Sequence, residues 1–152
     1  MRTAWITGLL VLCVGGVAAG RAARSAADLP AGPIRDRYEL MEGIGKNAKT
    51  IGDAMKAGDT APVAAAAERI QHDAGRIAAL FPPGSTHQKS RAKADIWQHW
   101  AKFEGDAKDL QANAAALAAA AKNGGDVRGG AQAMFDTCKS CHDQFRIPEK
   151  KG

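Results

Sequence analysis

Apolar and small side chains recur in alternating steps of four and three along four separate stretches of this chain, a spacing that a helix gathers onto one face. The first stretch takes in Ile34, Tyr38, Met41, Gly45, Ala48, Gly52 and Met55, with Pro33 suited to open a helix and Gly58 to close it. The second takes in Val63, Ala67, Ile70, Ala74, Ile77 and Phe81, with Thr60 as the expected cap and Pro82-Pro83-Gly84 as the stop. The third and longest runs from Ile96 through Trp100, Phe103, Ala107, Leu110, Ala114 and Leu117 to Ala121, and ends at Asn123-Gly124-Gly125. Asp126 can cap the fourth, whose inward positions are Val127, Ala131, Met134, Phe135, Cys138, Cys141, His142 and Phe145, before Pro148. Four seams of this period predict an all-α, antiparallel four-helix bundle with left-handed twist and crossing angles of about +20°. The connections are short except the one between the second and third helices.

Such a bundle explains a scaffold and leaves its filling open. Alanines, Gly45 and Gly52 occupy many inward positions, so a core of protein alone would be short of bulk, and a flat cofactor would fill it.

At 152 residues the chain has room for one domain. Its first segment stands apart: Met1-Arg2-Thr3 is a short positive start, Ile6 to Val17 is an apolar run of about a dozen residues, and small residues follow. This predicts a cleaved secretory signal over residues 1–27 and a mature domain over 28–152. The apolar run is shorter than the roughly 20 residues a membrane-spanning helix needs. Leu12 before Cys13 does not suit lipoprotein processing. The formal charge of +5 falls by three when Arg2, Arg21 and Arg24 leave with the signal, so nothing electrostatic calls for nucleic acid. Lys139, Arg146, Lys150 and Lys151 form a basic cluster near the C-terminus.

Of the three cysteines, Cys13 lies in the signal and the other two stand in Cys138-Lys139-Ser140-Cys141-His142. On a helix these positions are i, i+3 and i+4, which brings both thiols and the imidazole to one face. That is the chemistry of haem c attachment: two thiols add to the vinyl groups, and the neighbouring imidazole binds iron as an axial ligand. A zinc site would need two further ligands, and the mature chain offers only the scattered His72, His87 and His99. A thioredoxin-like dithiol belongs at a helix start after a strand, and a plain disulfide has no use for His142. No Ser-His-Asp set, carboxylate pair or phosphate loop is present, so no ordinary enzymatic activity is expected.

A haem motif near the C-terminus, on the last helix of a bundle, resembles the cytochrome c-prime family, also called class II c-type cytochromes. The resemblance extends over Arg37-Tyr38-Glu39-Leu40-Met41 with Gly45-Lys46-Asn47 and Gly52, Leu80-Phe81-Pro82, Ile96-Trp97, and Cys138 through Arg146. It implies a single covalent haem c in the periplasm, Met41 facing the iron opposite His142, Arg37 by a haem propionate, and Arg146 shielding the His142 side. It also implies partners: a periplasmic redox protein, a diatomic gas, and in many relatives a second copy of the chain.

The family divides at the distal position. In one branch a methionine coordinates, giving a low-spin haem for electron transfer; in the other the iron stays five-coordinate and binds nitric oxide or carbon monoxide. Met134 shares a helix with His142 and cannot reach across the ring, and Met55 lies too far along the bundle. Met41 is left, and the Met-x-x-x-Gly-x-Asn run from Met41 to Asn47 is similar to the low-spin branch. The expectation is therefore one-electron transfer with His142 and Met41 as axial ligands, and gas binding at a five-coordinate iron as the alternative.

Overall fold

A computed structural model describes residues 25–148, and four helices make its frame: α1 (Pro33–Ala57), α2 (Val63–Ala74), α3 (Trp100–Asn123) and α4 (Val127–Phe145). The expected signal, residues 1–27, lies outside the described residues except for its last three, as do Lys150 and Lys151. The architecture is the expected all-α four-helix bundle.

Local chemistry sets the ends of these helices. Pro33 opens α1, where its missing N–H would have had no helical partner. Gly58 closes it with φ 69°, its N–H donating to the Ala54 carbonyl, a left-handed turn that a side chain would strain. Gly124 does the same for α3 at φ 71°. The Asp126 carboxylate accepts the Gly129 N–H at 2.8 Å, so α4 has the expected cap. Thr60 does not cap α2 with its side chain; its carbonyl accepts the Val63 N–H at 3.1 Å, and Pro62 stands at the cap position.

Three sequence expectations need adjustment. The buried face of α1 is Arg37, Leu40, Ile44, Ile51 and Ala54, one residue back from the expected seam at most positions; Met41, Ala48 and Met55 are half-buried and Gly45 is exposed. Apolar residues on two adjoining stripes made either choice self-consistent, and packing selected the stripe with the bulkier side chains. The second segment does not stay α-helical to Phe81: beyond Ala74 it tightens into a 3-10 turn at Ala78–Leu80, which still carries Ile77 and Phe81 into the core. Ile96 is buried too, but in a separate 3-10 turn, Ala94–Trp97, ahead of α3.

The core runs between the helices through Ile51, Val63, Ala67, Ile70, Ala114, Leu117 and Met134, none of which reaches solvent. Helix α3 packs closely on both α2 and α4, whereas α1 and α4 meet least of the main neighbours. One reason for the tight α3–α4 pairing is Gly130, where an added Cβ would stand 3.3 Å from a Leu117 methyl. At the other end of α4 the long α2–α3 connection ties down the helix. The Lys93 N–H donates to the Phe145 carbonyl at 2.9 Å, and the Ile147 N–H to that of Arg91 at 2.7 Å. The Lys93 ammonium also caps the last turn, donating to the Gln144 carbonyl at 2.6 Å, where the helix dipole favours a cation.

Candidate functional site

Because α4 continues unbroken from Val127 to Phe145, Cys138, Cys141 and His142 do share one helical face. All three are half-buried, and the two thiols are free rather than joined to each other. They form one wall of a narrow cleft. The remaining walls are Met41 and Ile44 from α1, Ile77 beyond α2, Asp106, Ala107 and Leu110 from α3, and Thr137 from α4. Behind the cleft, Phe103 stacks edge-on against Phe81 (4.7 Å between centroids) and Phe145 (5.4 Å), which fixes the end of α4 just past His142. Trp100 joins this cluster, and the Trp97 indole N–H donates to the Phe81 carbonyl at 3.1 Å.

The cleft shifts the titration of its lining. Burial raises the Cys138 thiol, and the Cys141 thiol is pushed up to about 11, first by burial and then by the negative charge of Asp106. Burial, followed by the charges of Arg146 and Arg91, lowers the pKa of His142, so its imidazole is held neutral with a lone pair to offer. Arg146 itself is exposed just past the helix end. Arg37 is buried, with its guanidinium 4.6 Å over the Phe81 ring and donating to Ser85 and Ser90 of the α2–α3 connection.

A second, more open groove lies between α1 and α2, lined by Asn47, Ala65, Glu68, Arg69, His72 and Asp73. Its acids are paired: Asp73 with His72 and Arg76, and Glu68 with Lys122. Among the described residues no cluster of three or more His, Cys, Asp or Glu side chains is set to hold a metal ion.

A cofactor-binding helical bundle is thus the class that fold and cleft define. The family described as Cytochrome C' matches this chain over residues 32–146. Cytochrome c' of Rhodospirillum rubrum is 34% identical over 122 residues, covering 77% of this chain and 83% of that protein. The solved cytochrome c' of Rhodopseudomonas palustris superposes with a TM-score of 0.71 at 31% identity, covering 80% of this chain and all of that one. A nitric oxide complex of a cytochrome c prime variant from Alcaligenes xylosoxidans gives 0.68 at 25% identity, covering 80% of this chain and all of the other.

The chain belongs to the cytochrome c' family, and its cofactor is a single covalently attached haem c. The residues present fit that group. Two unpaired thiols and a neutral imidazole face a largely apolar cleft.

Membership corrects one expectation. A low-spin iron held between His142 and Met41 for electron transfer does not stand: the matching family is Cytochrome C', the curated relatives are cytochromes c', and one of the similar solved structures is a nitric oxide complex. Met41 is half-buried among Ile44, Ile77 and Leu110, where a thioether serves as flexible apolar filling. In sequence a methionine that fills and a methionine that coordinates read alike. Asp106 and Thr137 escaped the sequence reading altogether, and Ile77 was read there only as core. For Asp106 a signal existed: it lies four residues after Lys102 and directly beside the apolar seam at Phe103 and Ala107.

Proposed function

We propose that this chain is a periplasmic, five-coordinate haem protein that binds a diatomic gas such as nitric oxide or carbon monoxide. The observation that carries the reading is the lining of the cleft: Met41, Ile44, Ile77 and Leu110 face the helix that bears Cys138, Cys141 and His142. Cys138 and Cys141 hold the haem through thioether bonds, and His142 is the axial ligand. Arg146 screens the His142 side, in line with its influence on the imidazole, and Arg37 borders a propionate. When bound, haem supplies a redox-active iron with an open coordination position. The chain's own part is to exclude water with its apolar side chains and to leave that position without a strong protein donor, which favours small neutral ligands.

Export by a cleaved signal over residues 1–27 belongs to the same reading. It is supported by Leu29, which is buried just past the expected cleavage point and whose carbonyl accepts the Arg35 Nη2–H at 2.6 Å.

Absorbance spectra of the oxidised and reduced protein, with and without carbon monoxide, test the proposal. The expected result is a high-spin resting spectrum and ready carbon monoxide binding once reduced. A low-spin spectrum in both states with no response to the gas would sink it.

A further inference from the structure

Two charged side chains are buried among the described residues, Arg37 and Asp106. Hydrogen bonds to Ser85 and Ser90 account for Arg37. Asp106 is another matter. Only 7% of its side chain is exposed; one carboxylate oxygen pairs with the Lys102 ammonium a turn earlier on α3, and the other, Oδ2, is buried without a partner. A carboxylate in such a position is costly, and an apolar residue of its size would pack between Phe103 and Leu110 without that cost.

Its surroundings give the charge something to act on. Asp106 lines the same cleft as Cys138, Cys141 and His142. Water screens its field little in a cleft of this kind. Lys102 is about half exposed, so solvent weakens its opposing charge more than it weakens that of Asp106.

We infer that Asp106 is an electrostatic tuning residue, a fixed negative charge beside the haem that favours ferric over ferrous iron and so holds the midpoint potential down, with Lys102 partly offsetting it. The inference rests on haem occupying the cleft. It does not depend on which gas binds. The couple concerned is ferric iron plus one electron from an added chemical reductant giving ferrous iron. The ferric form carries one more positive charge, and the carboxylate stabilises that form more.

The test is a spectroelectrochemical titration of the purified, haem-loaded protein at pH 8, above the ordinary carboxylate range. At the potential where the parent is half reduced, Asp106→Asn should show a ferrous-to-ferric ratio about tenfold higher, an upward shift of ~59 mV for one electron. Lys102→Met leaves the carboxylate uncompensated and should move the midpoint the other way, by less. A purely structural role for the pair predicts shifts of the same sign, since either change breaks the same contact. Unchanged midpoints or shifts of one sign overturn the inference. If Asp106→Asn does not fold, Lys102→Met decides alone: a downward shift supports the inference, and an upward shift or none overturns it. A parent chain that carries no covalent haem would instead overturn the proposed function.

Discussion

Arg37 and Ser85 lie 48 residues apart in sequence and meet twice, the guanidinium donating to the Ser85 hydroxyl at 2.9 Å and to its carbonyl at 2.8 Å. A third donation, to the Ser90 hydroxyl at 3.1 Å, makes Arg37 the buried clasp between α1 and the long connection that spans the cleft end of the bundle. Arg37→Ala removes these bonds and the contact over Phe81, and should cost about 2–4 kcal/mol, read from denaturant midpoints. Arg37→Lys keeps the charge without the planar fork and should fall between the two.

Met41→Ala distinguishes filler from ligand. Since the thioether packs among apolar side chains, the variant should keep the resting absorbance spectrum of the parent. Carbon monoxide should associate faster, because the apolar wall has been thinned. Stopped-flow mixing measures the second effect; a change in spin state would contradict the first.

The raised thiols predict slow chemistry in the chain before haem is attached. With Cys141 pushed up to about 11, its thiolate at pH 8 is roughly two orders of magnitude scarcer than that of an ordinary thiol near 8.5. Alkylation of haem-free protein at pH 8 should be slower by about that factor, should accelerate as pH rises toward 11, and should lose its restraint in denaturant. Mass spectrometry of the labelled peptide follows each step. A native rate equal to the denatured one would show that the cleft does not shelter the thiol.

Met134 lies in the interior of α4 with none of its surface exposed, one turn before Cys138. Met134→Ala should cost about 2–5 kcal/mol, set by how far the surrounding side chains close the gap. Thermal unfolding of the haem-loaded protein gives the value.

Much of this fold can be read from residues that act locally. Pro33, Gly58, Asp126 and the Asn123-Gly124 stop set helix ends through their own backbone chemistry, which does not wait for tertiary structure. The motif from Cys138 to His142 needs only a continuous helix to bring its atoms to one side. What stayed illegible depends on neighbours. The inward face of α1 was ambiguous by one residue because two apolar stripes adjoin, and only contact with the other helices selects Leu40 and Ile44 over Gly45. Met41 carries no local mark that separates a ligand from packing. Asp106 stands beside the apolar seam in sequence but is buried only in the folded bundle, and Arg37 finds Ser85 only once the chain has folded back across the bundle.

The close approach of Gly130 to Leu117 gives α4 the mechanics of a lever. Its fulcrum is the bare backbone of Gly130 against the Leu117 side chain near the helix start, and its working arm runs about 18 Å along the axis to His142. At that far end the arm is braced by Lys93, while α1 opposite holds it only loosely. The absent side chain at position 130 thus sets how closely α4 lies on α3, a spacing fixed far from the imidazole it positions.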